Sequence, residues 1–357
     1  RWDGPWDPAP FRRDIERTCA EFCDQQAPLL APLGPDAARL LDEARSVVSG
    51  GKRFRAAFCW WGFHAVPDAE TPNIDALLRA CASLELLHAS ALVHDDYMDA
   101  SDVRRGRPAT HRAFEDLHRD EGWTGPADRY GAAAAILLGD LLLSWADELL
   151  RTSGFGDTAV LAALRYLDLT RTEVVAGQFL DVSVQARGHA DAATAMTVLR
   201  YKSAKYSIER PLHVGAALAG AAPEVIDQLS AFGLPLGEAF QLRDDMLGVF
   251  GDPVVTGKPA GDDLREGKRT VLVAHALEAL PTADARLLDE GLGTPLTDAQ
   301  VEALRDLIDR SGARERVEEQ IDVLTTRSLA ALDDAQIDET ARTALGALAA
   351  QVTQREV

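Results

Sequence analysis

Residues 85–99 read ELLHASALVHDDYMD, and ASDVRRGRPATH continues the stretch to His111. Residues 85–99 carry an apolar run at helical spacing without proline or glycine, which predicts a helix ending in three aspartates. On that helix Asp95 and Asp99 share a face one turn apart, with Asp96 beside them. Carboxylates so close repel one another unless a cation lies between them, and at a helix C-terminus they also oppose the macrodipole. Leu84, Leu87, Ala91, Leu92 and Val93 in the preceding turns are buried-type residues that would hold the cluster at the mouth of a cavity. Hard oxygen ligands in small number suit Mg²⁺, which keeps waters and completes its shell with substrate phosphates. Arg104, Arg105 and Arg107 follow directly and would grip those phosphates. The stretch points to diphosphate chemistry.

Residues 240–252, FQLRDDMLGVFGD, repeat the pattern, and PVVTGKPAGDDLREGKRT runs on to Thr270. Asp244 and Asp245 form the second pair, but the position one turn on is Gly248, so this cluster has one carboxylate fewer. A metal held there would keep more water. Asp252, Asp262 and Asp263 follow in a glycine-rich stretch. Lys258 and Lys268 each follow a glycine, which lets backbone and ammonium approach a phosphate together. No G-x-x-x-x-G-K-S/T run occurs, so this is not a P-loop. These basic groups, with Lys52, Arg53, Arg55, Lys202 and Lys205, run against a net charge of -20. That charge argues against nucleic acid or an anionic membrane surface as a partner.

The composition, 46% hydrophobic over 357 residues with long proline-free segments, predicts an all-α protein. Short glycine- and proline-bearing breaks divide about ten helices at Gly122–Pro126, Gly154–Asp157, Gly188–Asp191, Gly220–Pro223, Gly251–Gly261 and Gly291–Pro295. Without a low-complexity linker or a fixed repeat, one domain spanning 1–357 is expected. Thr297-Asp298-Ala299-Gln300 has the form of a capping box. Gly131–Ala146, interrupted by Asp140, reads as a core helix rather than a membrane span. The polar, proline-broken RWDGPWDPAPFRRD is unlike a signal peptide. Cys19, Cys23, Cys59 and Cys81 lack zinc spacing and read as thiols of a reducing cytosol, so a cytoplasmic protein is expected. Glu85/His88 and Glu115/His118 have the Glu-x-x-His spacing of di-iron bundles. The second copy adjoins a polar loop, and such a centre gives the basic clusters no use.

At GGKRFR (Gly50–Arg55), DDYMD with its RRG, GQFLD (Gly177–Asp181), YKS (Tyr201–Ser203), FQLRDD and GKPAGDDLREGK the chain resembles the trans-isoprenyl diphosphate synthases, the polyprenyl synthetase family. The wording is most similar to actinobacterial geranylgeranyl diphosphate synthases, over roughly Gly50 to Thr270. The resemblance implies a single-domain helical bundle around a central cavity, the type I isoprenoid synthase fold, and a homodimer without membrane insertion. It implies three Mg²⁺ held by Asp95, Asp96 and Asp99 and by Asp244 and Asp245. Arg104, Lys202, Ser203, Lys258 and Lys268 match the family's allylic diphosphate site, with Gln241 near the reacting carbons. Lys52, Arg55, His88 and Arg105 match its isopentenyl diphosphate pocket. Gly248 departs from the usual third aspartate, and Ser203 stands where threonine is common.

The reaction so implied joins isopentenyl diphosphate to dimethylallyl, geranyl or farnesyl diphosphate. Ionisation of the allylic carbon–oxygen bond is the slow event, the alkene then attacks the cation, and the departing diphosphate takes the proton. The growing tail should run down beside the helix ending at Asp95. One turn below, about 6 Å by helical rise, Ala91 and Ser90 are small, with Leu87 in the next turn. A product longer than farnesyl follows, with geranylgeranyl diphosphate expected. A terpene cyclase would not need the Lys52, Arg55 and His88 pocket. A non-catalytic subunit of a heteromeric synthase should have lost aspartates that this chain keeps.

Overall fold

The long alanine- and leucine-rich stretches wind into helices throughout the computed structural model, which describes residues 7–69, 73–251 and 261–353. Among them are sixteen α-helices, more than the ten expected. The excess lies in the C-terminal third, where Gly267, Pro281, Gly291 and Gly312 cut the chain into short helices.

The chain divides into two compact units, the first comprising residues 1–165 with 214–220. It holds α1 (Pro8–Leu30), α2 (Pro35–Val48), α3 (Phe54–His64), α4 (Ile74–Met98), α5 (Thr110–Asp120) and α6 (Ala127–Arg151). Asn73 caps α4, accepting from the backbone N–H groups of Asp75 and Ala76 at 3.1 and 3.4 Å. Helix α4 packs on α1, α3 and α6. It is long and apolar enough to cross a membrane by length and composition, yet 78% of its most apolar window is buried inside the protein. Between α4 and α5 lies a hairpin that helical periodicity did not predict, Val103–Arg104 against Arg107–Pro108. Its two-residue loop, Arg105-Gly106, has φ of 53° and 74°, the left-handed pair that a tight hairpin turn needs.

The second unit comprises residues 166–213 and 221–357. Helix α7 (Asp157–Arg187) starts in the first unit and runs into it; α8 (Ala192–Leu199) and a ten-residue π-helical segment (Arg200–Glu209) follow. Then come α9 (Arg210–Leu218), whose end belongs to the first unit, α10 (Pro223–Phe250), α11 (Asp262–Glu266), α12 (Val271–Ala279), α13 (Thr282–Gly291), α14 (Asp298–Arg310), α15 (Ala313–Asp334) and α16 (Glu339–Thr353). The core gathers Leu242, Met246 and Val249 of α10 with Leu264, Val271, Val301, Ile308 and Val317. The capping box at Thr297 forms with Gln300. All four cysteines are free and buried, and burial pushes the Cys19 thiol up to about 12.

Candidate active site

In the first unit the GGKRFR loop wraps a guanidinium. Gly50 and Gly51 have φ of 69° and 96°, and a Cβ on Gly51 would fall 2.8 Å from Arg105 Nη2. The glycine is therefore space for Arg105, which donates to the Ser49 carbonyl at 2.6 Å. Buried Arg53 donates to Glu85 at 3.1 Å and to the Val48 carbonyl at 2.6 Å. The other Glu85 oxygen accepts from Ala56 N–H at 3.1 Å, in the first turn of α3. One turn beyond Glu85 on α4 stands His88, partly exposed but densely surrounded. Burial first, then the cations of Arg55, Arg105, Arg104 and Arg53, hold its imidazole well below the ordinary histidine value. The structure thus brings Arg55, His88 and Arg105 together and adds Arg53 and Arg104; Lys52 lies exposed on the same loop.

Both Glu-x-x-His pairs are spent on other contacts. Glu85 is held by Arg53, and buried Glu115 by Arg112 and Arg119 at 2.9 and 3.0 Å. Among the described residues no three or more His, Cys, Asp or Glu side chains form a ready metal site.

The aspartates of α4 separate into two environments. Asp96 is buried, and Arg104 Nε lies 2.9 and 3.1 Å from its two carboxylate oxygens. Arg104, matched in sequence to a diphosphate site, therefore rests on an aspartate matched to metal. Asp95 and Asp99 close the last turn, where the Asp99 N–H donates to the Asp95 carbonyl at 2.8 Å, and both are partly exposed. At 100° per residue Ala91 lies about 40° round the helix from Asp95 and Ser90 about 140°. Accordingly Ala91 and His88 continue the half-exposed stripe of Asp95, whereas Ser90 and Leu87 are buried. Ala91 thus lies on the Asp95 face of α4, and Ser90 lies off it.

In the second unit the Gln241 side chain donates to Asp245 at 2.9 Å. Burial, then the neighbouring Asp263 carboxylate, pushes Asp245 up to about 8. A Cβ on Gly248 would fall 1.9 Å from Asp263 Oδ2. The carboxylate missing at 248 is thus matched by one that reaches into the same space from α11. The Lys268 ammonium lies 3.3 Å from Asp263 and 2.6 Å from Glu266. Asp244 is partly exposed beside this group. Lys258 lies outside the described residues. Sequence reading missed Asp263 as a neighbour of Asp245, since nothing in the spacing of the two relates them.

Lys202 and Ser203 lie in the π-helical segment, both partly exposed. Lys202 Nζ donates to Asp181 at 2.6 Å, and a Cβ on Gly177 would meet Lys202 N at 2.5 Å. The GQFLD and YKS motifs are thus one packing unit, which ties Asp181, absent from the expected site, to Lys202.

Among the described residues the fold is helical apart from one short hairpin, with paired carboxylates in the last turns of two long helices and cations on the GGKRFR loop, the hairpin and the π segment, the arrangement of a helical enzyme class. The model of the polyprenyl synthetase family matches residues 38–308, and the chain belongs to that family; it is an isoprenyl diphosphate synthase. It is 32% identical to the geranylfarnesyl diphosphate synthase of Aeropyrum pernix over 278 residues, covering 76% of this chain and 80% of that one. To the (2E,6E)-farnesyl diphosphate synthase of Mycobacterium tuberculosis it is 32% identical, covering 84% and 79%. Its fold is similar to the crystal structure of a geranylgeranyl pyrophosphate synthase from Corynebacterium glutamicum complexed with isoprenyl diphosphate and magnesium. That likeness has a TM-score of 0.95 and 40% identity, covering 98% of this chain and 100% of that one.

Proposed function

We propose that the chain, acting over 1–357 as one synthase domain, condenses isopentenyl diphosphate with an allylic diphosphate to give geranylgeranyl diphosphate, with Mg²⁺. The observation that carries the reading is Arg105 folded onto the Gly50–Gly51 loop beside Lys52 and Arg55, with His88 under the charge of the same arginines, a cationic cluster suited to a polyanion. The family match spans residues of both units, which supports a single functional domain. The geranylgeranyl and geranylfarnesyl synthases among its relatives support a long product.

The donor set fits magnesium. Mg²⁺ takes one or two carboxylates and leaves the rest of its shell to water and phosphate, so paired aspartates are enough. Asp95 and Asp99, with Asp96 beside them, and Asp244 with Asp245 would hold three ions. When bound, Mg²⁺ neutralises charge on the leaving diphosphate. Arg104, Lys202, Ser203, Lys258 and Lys268 bind and orient the allylic diphosphate, and Gln241 lies by the reacting carbons. Arg55, Arg105, His88 and Lys52 seat isopentenyl diphosphate. The allylic C–O bond breaks with its electron pair leaving on diphosphate. The isopentenyl alkene pair forms the new C–C bond, and a proton passes from C2 of the isopentenyl unit to the departing diphosphate. Holding both partners in register replaces an encounter in solution with a unimolecular step.

The tail passes Ala91, the small residue on the Asp95 stripe, with Leu87 and Ser90 forming the wall behind it. A homodimer is supported by Leu169, Val175, Phe179 and Val182, which stand 40%, 61%, 73% and 38% exposed on one side of α7. Four free thiols fit a reducing, cytoplasmic setting. The decisive experiment incubates the protein with Mg²⁺, isopentenyl diphosphate and dimethylallyl, geranyl or farnesyl diphosphate, and sizes the products. A C20 diphosphate is expected, and Ala91→Phe should shorten it to C15. Cyclic hydrocarbon from an allylic diphosphate alone would instead assign a terpene cyclase.

A further inference from the structure

Ten consecutive residues, Arg200–Glu209, are wound as a π-helix. Such winding is rare, costs stability relative to an α-helix and persists where surrounding contacts impose it. The contacts come from both sides. On α7, Glu173, Gly177 and Asp181 are spaced four apart and form one stripe, each about 6 Å beyond the last. Glu173 accepts from Arg210 Nε and Nη2 at 2.8 and 2.7 Å and lies 3.2 Å from Lys205 Nζ. Gly177 touches backbone, because a Cβ there would meet Tyr201 C at 2.6 Å and Lys202 N at 2.5 Å. Asp181 takes Lys202 Nζ at 2.6 Å. On the opposite flank a Cβ on Gly237 of α10 would meet the Ala204 carbonyl at 2.5 Å, and Arg200 donates to Glu238 at 2.6 Å.

The charged end of this stripe is anchored further. Arg210 Nη1 lies 3.1 Å from His213 Nδ1, and His213 Nε2 lies 2.9 Å from Ser230 Oγ. A guanidinium only donates, so Nδ1 accepts and the ring is neutral with its proton on Nε2. Burial, then the charges of Arg210 and Lys205, pulls His213 down to about 3. Lys205 also approaches Glu209 at 3.4 Å and lies 5.5 Å from the Tyr201 ring centroid. Glu173 is thus the carboxylate on which Arg210, just after the π segment, and Lys205, within it, converge.

We propose that Glu173 is a positioning residue: by drawing Lys205 and Arg210 onto α7 it fixes the register of the π turns, and so aims Lys202 along the same stripe at the diphosphate. The proposal rests on the reading of Lys202 as an allylic diphosphate ligand. Glu173 itself touches no substrate. Its loss is felt through the placement of Lys202, and therefore on one substrate only.

The test compares wild type with Glu173→Gln and Lys205→Met, the second of which leaves the Glu173–Arg210 pair in place if the first fails to fold. Steady-state kinetics with Mg²⁺, farnesyl diphosphate and isopentenyl diphosphate should show the farnesyl KM raised about tenfold while the isopentenyl KM stays within about twofold. Glu173→Asp, which restores the charge, should recover part of the loss. Calorimetric binding of inorganic pyrophosphate with Mg²⁺ should weaken in parallel. A farnesyl KM unchanged in a folded variant, or both KM values rising together with a lowered Tm, overturns the proposal and leaves Glu173 a packing residue. If wild type forms no prenyl product but pyrophosphate binding still falls in the variants, the positioning role stands and the synthase reading falls.

Discussion

His88 and Asp245 are perturbed in opposite senses. Burial and then the charges of four arginines push the His88 imidazole away from its charged form; burial and then a second carboxylate push the Asp245 acid away from its own. The first site gathers guanidinium groups and the second gathers carboxylates. Each is arranged for a ligand of the complementary sign, a diphosphate in one case and a divalent cation in the other. The asymmetry extends to the aspartates themselves. Asp96 has a guanidinium, whereas Asp245 accepts from the Gln241 amide, near a lysine shared between Asp263 and Glu266.

The strongest way to break this comparison is to empty the cation side. Asp95→Asn should lower kcat by roughly 10²-fold or more, the scale of losing one preorganised partner of developing charge; initial rates at saturating Mg²⁺ decide it. Next comes the Gly248 space. Gly248→Ala should lower activity about tenfold and shift Tm down by several degrees, because a methyl cannot coexist with the Asp263 carboxylate in its present position. Adding Asp263→Gly to Gly248→Asp should recover more activity than the two single losses allow, with a coupling of at least about 1 kcal/mol. Strict additivity would show that the two positions do not share a space.

A smaller effect sharpens the contrast in sign. At pH 7 Asp245, whose acid form is favoured up to about 8, should release protons when Mg²⁺ binds. Filling the arginine cluster with inorganic pyrophosphate at pH 6 should instead take protons up at His88, since the anion offsets the cations that, after burial, depress it. Calorimetry in two buffers of different ionisation heat reads both, and matching signs would reject the comparison. A further effect, on stability rather than activity, belongs to His213. Its folded value of about 3 lies below that of the unfolded chain, so stability present above pH 6.5 is lost as pH falls, by about 1.4 kcal/mol per pH unit. Urea unfolding between pH 6.5 and 5, above the carboxylate range, should show this slope in wild type and a flatter one in His213→Gln.

Much of this was legible in the sequence because it is local. Helix type followed from composition, most breaks from glycine and proline, and the Asp95–Asp99 face from a four-residue spacing. The capping box at Thr297 needed only four residues. Relations across the chain were not legible. Nothing at Gly248 says that Asp263, fifteen residues on, fills its space. Nothing at Lys202 says that it lies in a π segment answering to Glu173 and Asp181. Ser90 is buried off the Asp95 face for a simpler reason: a five-residue step along a helix moves well off the starting face, whereas a four-residue step does not. Arg53, one more cation of a basic run in the sequence, is buried against Glu85 and the Val48 carbonyl.

Arg53 and Arg105 have φ of 57° and 53°, a backbone region in which side chains other than glycine, asparagine or aspartate are uncommon. Each then secures its guanidinium on a main-chain carbonyl, of Val48 and Ser49 respectively. A campaign to harden this enzyme against heat would be drawn to Arg105, where glycine relieves the backbone at once. It would gain a more robust scaffold and a poorer catalyst, because the relieved residue is one of the cations gathered around His88.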